Sequence, residues 1–150
     1  MIYRQEFIDD IYEDCQPLIA QHWKDIALNQ DAIKLNPNWD AYRALEGIGA
    51  FRIFTARDDG KLVGYFAVFV EPNLHYQDHL FARNDVLFLH EDYRKGFCGV
   101  RLIRFAEKCL KADGVSVLVI NTKLHKDFSS VLKWMGFKHT EAIHTKYIGA

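Results

Sequence analysis

DYRKGFCGVRLIRFAE, residues 92–107, sets one aromatic, two adjacent cations and two glycines directly before a stretch with helical spacing. Leu102, Ile103, Ala106, Cys109 and Leu110 fall on one face of that helix, while Arg101, Arg104, Lys108 and Lys111 fall elsewhere. Upstream, ARNDVLFL (residues 82–89) reads as a strand. Downstream, Gly114 stops the helix and VSVLVI (115–120) runs apolar without alternation, as a strand covered on both faces does. The segment 85–120 is therefore strand, glycine-containing turn, helix, strand, a parallel β–α–β unit with the quoted stretch at its first turn. Such a turn presents the free N–H groups and positive dipole end of a helix, with Arg94 and Lys95 beside them. It is a seat for an anion, or else Gly96 and Gly99 only give the backbone freedom and the cations are solvated. Neither the GxGxxG nor the GxxxxGK[ST] spacing is present.

Outward from this unit the chain is ordinary. Its 150 residues, 49% hydrophobic and 26% charged, predict one domain spanning 1–150. A net charge of -1 makes a general nucleic-acid binder an unpromising reading. No run approaches the length of a membrane span, and MIYRQEFIDD turns acidic where a signal peptide needs an apolar core. Cys15, Cys98 and Cys109 are odd in number and lack CxxC spacing, which fits a reducing, cytoplasmic setting. Residues 7–27 have helical spacing with Pro17 as a kink or break, and Trp39–Ile48 is a second short helix with Trp39, Tyr42 and Leu45 on one face. FRIFTA, a DDGK turn and LVGYFAVFV form a hairpin. A loop with Pro72, Asn73 and His75 follows, and FSSVLKWM is a short helix stopped by Gly136 before a last strand or strand pair.

The segment from Asp85 to Phe137 resembles the GNAT superfamily of acyl-CoA-dependent N-acyltransferases. Arg94 and Gly99 take the first and last positions of that family's Arg/Gln-x-x-Gly-x-Gly/Ala turn, after Asp92 and Tyr93. Gly136 and Phe137 match its closing Gly-Phe pair. The order of elements extends the likeness over nearly the whole chain, most closely to GNAT-like proteins of tailed phages and prophages, whose setting is the host cytoplasm. Two positions depart from the pattern. Phe97 stands where the family prefers a glycine, and Leu132 where it carries a tyrosine that protonates the leaving thiolate. The resemblance implies an α+β fold: a mixed, mostly antiparallel sheet of six to seven strands, one parallel pair around a helix, and about four helices.

It also implies acetyl-CoA as co-substrate, no metal, and direct transfer to an amine of a small molecule or protein. A homodimer through the last strands would fit the family. Cofactor contacts are expected from Leu87, Phe88 and Leu89, from the turn Arg94, Lys95, Gly96, Phe97, Cys98, Gly99 and Val100, and from His125 and Phe128. Asp85, nine residues before Arg94, sits where the family often carries its base; the alternative is a structural residue at a strand end. His75 and Tyr76 lie in a region that often faces the acceptor, or are plain surface positions. The His75/His79 spacing has no helix to support a metal site. His22, Trp23 and Glu46 form an acceptor wall, or else Trp23 is core and Glu46 is solvated. Cys98 is an acylation site or a small buried filler. Two other functions stay open: a non-catalytic CoA-binding module, and a modifier of a macromolecule, either a protein lysine or a nucleobase.

Overall fold

The computed structural model of the protein describes residues 1–149. Strand β1 (Ile2–Glu6) leads into α1 (Ile8–Ile26), whose start is held by Asp10, its Oδ2 accepting from the Phe7 N–H at 2.9 Å. Ile8, Ile11, Cys15, Leu18 and His22 are buried along one face of α1. That stripe spans Pro17, so of the kink or break expected there no break occurs, and a single helix of 19 residues forms. Asn38 caps α2 (Trp39–Gly47), its Oδ1 accepting from the Ala41 N–H at 3.0 Å. Strands β2 (Phe51–Asp58) and β3 (Lys61–Asn73) join through Asp59 and Gly60, both at positive φ, as a two-residue hairpin requires.

The loop expected around Pro72 and Asn73 is in fact the end of β3, and β4 (Tyr76–Leu89) starts three residues after Asn73. After a single 3-10 turn at Glu91–Tyr93 come α3 (Cys98–Ala112), β5 (Val115–Val119) and α4 (Ser129–Trp134). Gly136 ends α4 at φ +99°, its N–H reaching Lys133 O while that of Phe137 reaches Leu132 O.

Among the described residues the sheet has five strands in chain order, antiparallel except for the parallel pair β4–β5. Six to seven were expected. The shortfall lies after α4, where residues 138–149 contain neither strand nor helix. β5 also corrects the reading of VSVLVI as doubly covered: Ser116 and Val117 are exposed, because β5 is the sheet's last strand. An apolar run does not distinguish a covered strand from an edge strand.

Helices α1 and α2 pack on one face of the sheet and α3 on the other. On the first face Ile8, Ile11, Phe51, Ile53, Tyr65 and Phe88 form a core; on the second, Phe54, Phe66, Val68, Leu102, Ala106 and Leu110 form another. A bulge in β4 switches which of its residues face which core. Ala67 pairs with Val86 and Val68 with Asn84, leaving Asp85 as the extra residue. Val86 and Phe88 consequently join the first core, whereas Ala82 belongs to the second. Gly64 permits the close pairing at the end of β4: a Cβ there would come within 2.7 Å of Leu89 Cδ1 and 2.9 Å of Phe88 O.

Candidate active site

The bulge delivers Asp85 to the α2 side of the sheet. Its Oδ2 accepts a hydrogen bond from the Tyr42 hydroxyl at 2.8 Å. Burial raises the Asp85 pKa above the usual aspartate value, and the Tyr42 bond opposes that rise only in part. The Tyr42 phenol is pushed up as well, by burial first and by the neighbouring carboxylate second. Asp85 opens onto a cavity of about 240 Å³ between α1, α2 and the sheet. Its walls are chiefly aliphatic and aromatic, with Ile11, Ile19, Trp39, Phe51 and Val86 among them. His22 lies in the same wall, its Nδ1 3.2 Å from the Tyr65 hydroxyl and its ring 5.1 Å from that of Phe88. Burial lowers the His22 pKa to about 4, so the imidazole is neutral at physiological pH.

On the other side of β4 the sheet opens. The parallel ladder with β5 stops at Arg83 and Val119. Beyond it the Asn121 N–H donates to the side-chain Oδ1 of Asn84 at 2.7 Å, so a side chain replaces the next ladder bond. Val86 to Leu89 pair with β3 alone, and their outward backbone edge faces the gap. This stretch leads into the turn. Among the described residues, no N–H from Lys95 to Val100 has a protein acceptor, and the first turn of α3 contains no acidic side chain. Gly96 is at φ +85° with open space where a Cβ would stand. Donors, dipole and room fit a phosphate there.

The cations divide their work. Arg94 Nε donates to Leu89 O at 2.7 Å and its Nη2 lies 3.3 Å from Asp25 Oδ2, with the guanidinium 5.6 Å over the Phe88 ring. It ties α1, the end of β4 and the turn together, whereas Lys95 is exposed beside the free N–H groups.

The remaining expected site residues are spread out. Leu87 packs toward α3, Phe88 is buried between His22 and Tyr65, and Gly99 faces Leu89. Cys98 is half-buried and its carbonyl accepts from the Tyr3 hydroxyl, Val100 is buried, and Phe97 lies exposed with its ring 6.1 Å from that of Trp134. His125 is exposed in the turn after β5, and Phe128 precedes α4. His75 and Tyr76 are at the far end of the β3–β4 hairpin, roughly 30 Å along the strand from Asp85 at about 3.3 Å per residue, and neither lines the cavity. Trp23 does line it; Glu46 does not, its Oε1 accepting instead from the Ile8 N–H at 2.9 Å. Leu132 is 5% exposed and part of the core, so no phenol stands at that position. No group of three or more His, Cys, Asp or Glu among the described residues is placed to hold a metal.

Tyr42, Asn84 and the Arg94–Asp25 tie were not singled out from the sequence. Their partners lie 43, 37 and 69 positions away. The one local signal was Tyr42, sharing a helical face with Trp39 and Leu45.

A strand that parts from its parallel neighbour, a helix-start turn with free donors, and a half-buried carboxylate beside a cavity are brought together here. The Acetyltransferase (GNAT) family model matches residues 6–137, and the chain belongs to that family, an acetyltransferase by class. No curated protein matches the sequence. Solved structures share the fold. An aminoglycoside acetyltransferase from an uncultured soil metagenomic sample superposes with a TM-score of 0.75 at 13% identity, over 97% of this chain and 94% of that one. A ribosomal-protein-alanine N-acetyltransferase from Brucella melitensis biovar Abortus 2308 gives 0.69 at 19%, over 99% and 98%. A glucosamine-6-phosphate N-acetyltransferase from Arabidopsis thaliana gives 0.70 at 13%, over 99% of each. No helix among the described residues is long and apolar enough to cross a membrane.

Proposed function

We propose that the protein is an acetyl-CoA-dependent N-acetyltransferase, passing acetyl directly to the amine of an acceptor held in the cavity beneath β4. The observation that carries this reading is Asp85, a half-buried carboxylate of raised pKa at a bulge, with the cavity on one side and the β4–β5 gap on the other. The pyrophosphate of CoA would rest on the N–H groups of Lys95–Val100, with Lys95 supplying charge. The thioester would lie along Asp85–Leu89, whose outward backbone edge can polarise its carbonyl.

Asp85 takes a proton from the acceptor ammonium, directly or through water, and a pKa nearer neutrality suits that transfer. The freed amine forms the C–N bond, the adduct nitrogen gives its second proton to water, and the C–S bond breaks. The departing thiol has a pKa near that of cysteine, about 8.5, so it leaves as thiolate and is protonated from solvent. With Leu132 in the core, no side chain is needed for that last step. The three free cysteines accord with a reducing, cytoplasmic setting.

Calorimetry with acetyl-CoA, followed by thiol release across an amine panel, tests the proposal. Asp85→Asn should lower kcat/KM by about 10²–10⁴-fold while leaving acetyl-CoA affinity nearly unchanged. No binding at millimolar acetyl-CoA would end it; binding without turnover on any acceptor would favour a CoA-binding module.

A further inference from the structure

Resting on the reading of Asp85 as the base, the geometry points to one acceptor class: a small, largely apolar primary amine with a single positive charge, such as an aralkyl or branched-alkyl amine. The charges on the cavity wall carry this inference. Asp85 is the carboxylate there, and Lys123 is the cation, exposed at the rim. The other polar groups are neutral near pH 7. Burial holds the His22 imidazole unprotonated, and raises the Cys15 thiol and the Tyr42 and Tyr65 phenols. One ammonium therefore finds one partner. A second ammonium would be stripped of water against Ile, Val, Trp and Phe side chains with nothing to pair it. A sugar phosphate fares worse, because its one cationic partner, Lys123, is exposed at the rim and its hydroxyls would lose water against the apolar wall.

Size points the same way. A volume of about 240 Å³ lies below the roughly 300–1,000 Å³ usual for clefts that take drug-sized ligands. That accommodates a compact amine, not an oligosaccharide or a folded peptide segment. The connection from α1 to α2 adds a second observation. It contributes Leu35 and Pro37 to the wall, yet leaves Leu28, Ile33 and Leu35 at 50%, 51% and 41% exposure. An apolar acceptor offers Leu35, the exposed one of these that lines the cavity, a surface to cover; a hydrophilic one does not.

The test measures thiol release from acetyl-CoA with n-alkylamines from propyl to octyl, isopentylamine and 2-phenylethylamine. Spermidine, glucosamine 6-phosphate and an alanine-initiated tetrapeptide serve as polar acceptors. Expected is a kcat/KM that rises about three- to fourfold per methylene until the cavity is full. The best apolar amine should exceed each polar acceptor at least tenfold. A flat dependence on chain length, a faster polar acceptor, or acetyl-CoA binding with no turnover of any apolar amine would each overturn the inference. Turnover of a polar acceptor would nevertheless leave the acetyltransferase reading standing, whereas absence of acetyl-CoA binding removes that reading itself.

Two substitutions sharpen the result. Ile19→Phe should shorten the optimal chain by two or three methylenes. Leu35→Glu, on a partly exposed loop residue, adds a second carboxylate and should shift preference from hexylamine toward 1,6-diaminohexane at least tenfold. If Ile19→Phe does not fold, Leu35→Glu decides alone, and an unchanged preference in a folded variant overturns the inference.

Discussion

At Asp85, the feature that suits a base also costs stability. The folded pKa lies above the unfolded value, so the native state holds the proton more tightly. Stability from this group therefore declines as pH rises from the unfolded pKa through the folded one, and stays reduced above it. Asp85→Asn keeps an acceptor oxygen for Tyr42 and should raise Tm at pH 8 while abolishing most turnover, a pair of effects readable by thermal melts and thiol release. His22 acts at the acid end with the opposite slope. Its pKa falls from 6.5 to about 4 on folding, so the unfolded chain binds the proton first and stability is lost as pH drops through that window. The loss should approach about 3 kcal/mol by pH 4, at about 1.36 kcal/mol per pH unit. Urea midpoints for the native chain and His22→Phe, compared at pH 7 and 4.5, should converge toward acid. Gly96 gives a third case. Because a Cβ there meets nothing, Gly96→Ala should lose only the roughly 1–2 kcal/mol of the left-handed conformation, yet weaken acetyl-CoA binding in calorimetry.

Among the elements, α1 shows how tertiary packing overrides local preference. Pro17 removes one backbone donor, but the buried stripe from Ile8 to His22 spans both sides of it and keeps the helix whole. Pro17→Ala, at an exposed position, should stabilise the protein by about 1–3 kcal/mol in urea unfolding. This also marks what the sequence could and could not reveal. The unit β4–α3–β5 was legible because its period changes from strand to helix at 92–97 and glycines punctuate both ends. The bulge at Asp85 was not, since ARNDVLFL scans as a regular strand with Ala82, Asn84, Val86 and Phe88 on one face. Pairing with β3 inserts the extra residue and reverses the second half of that pattern. The tail's apolar residues Ile143, Tyr147 and Ile148 suggest a strand by composition, but in the structure they are exposed and pair with nothing. Strand formation needs a partner, and propensity alone does not supply one.

For the whole molecule, the decisive relation is that β4 serves two spaces at once. The cavity under α1 and α2 reaches Asp85 from one side, and the gap toward β5 reaches the same residues from the other. The guanidinium of Arg94 braces the meeting point through Leu89 and Asp25. Contacts of this kind join residues far apart in the chain, which is why the fold was readable from local pattern and the site's partners were not. The bond from Asn121 to Asn84 then takes on a quantitative meaning. Where the ladder between β4 and β5 ends, one carboxamide acts as a spacer bar that ties the Asn121 backbone to β4 at the edge of the gap. Asn84→Gln lengthens the bar by one carbon–carbon bond, about 1.5 Å. Asn84→Ala removes it and should cost about 1 kcal/mol of stability in urea unfolding. Calorimetry should find acetyl-CoA affinity reduced in both, the outcome expected where the proposed donor enters this gap.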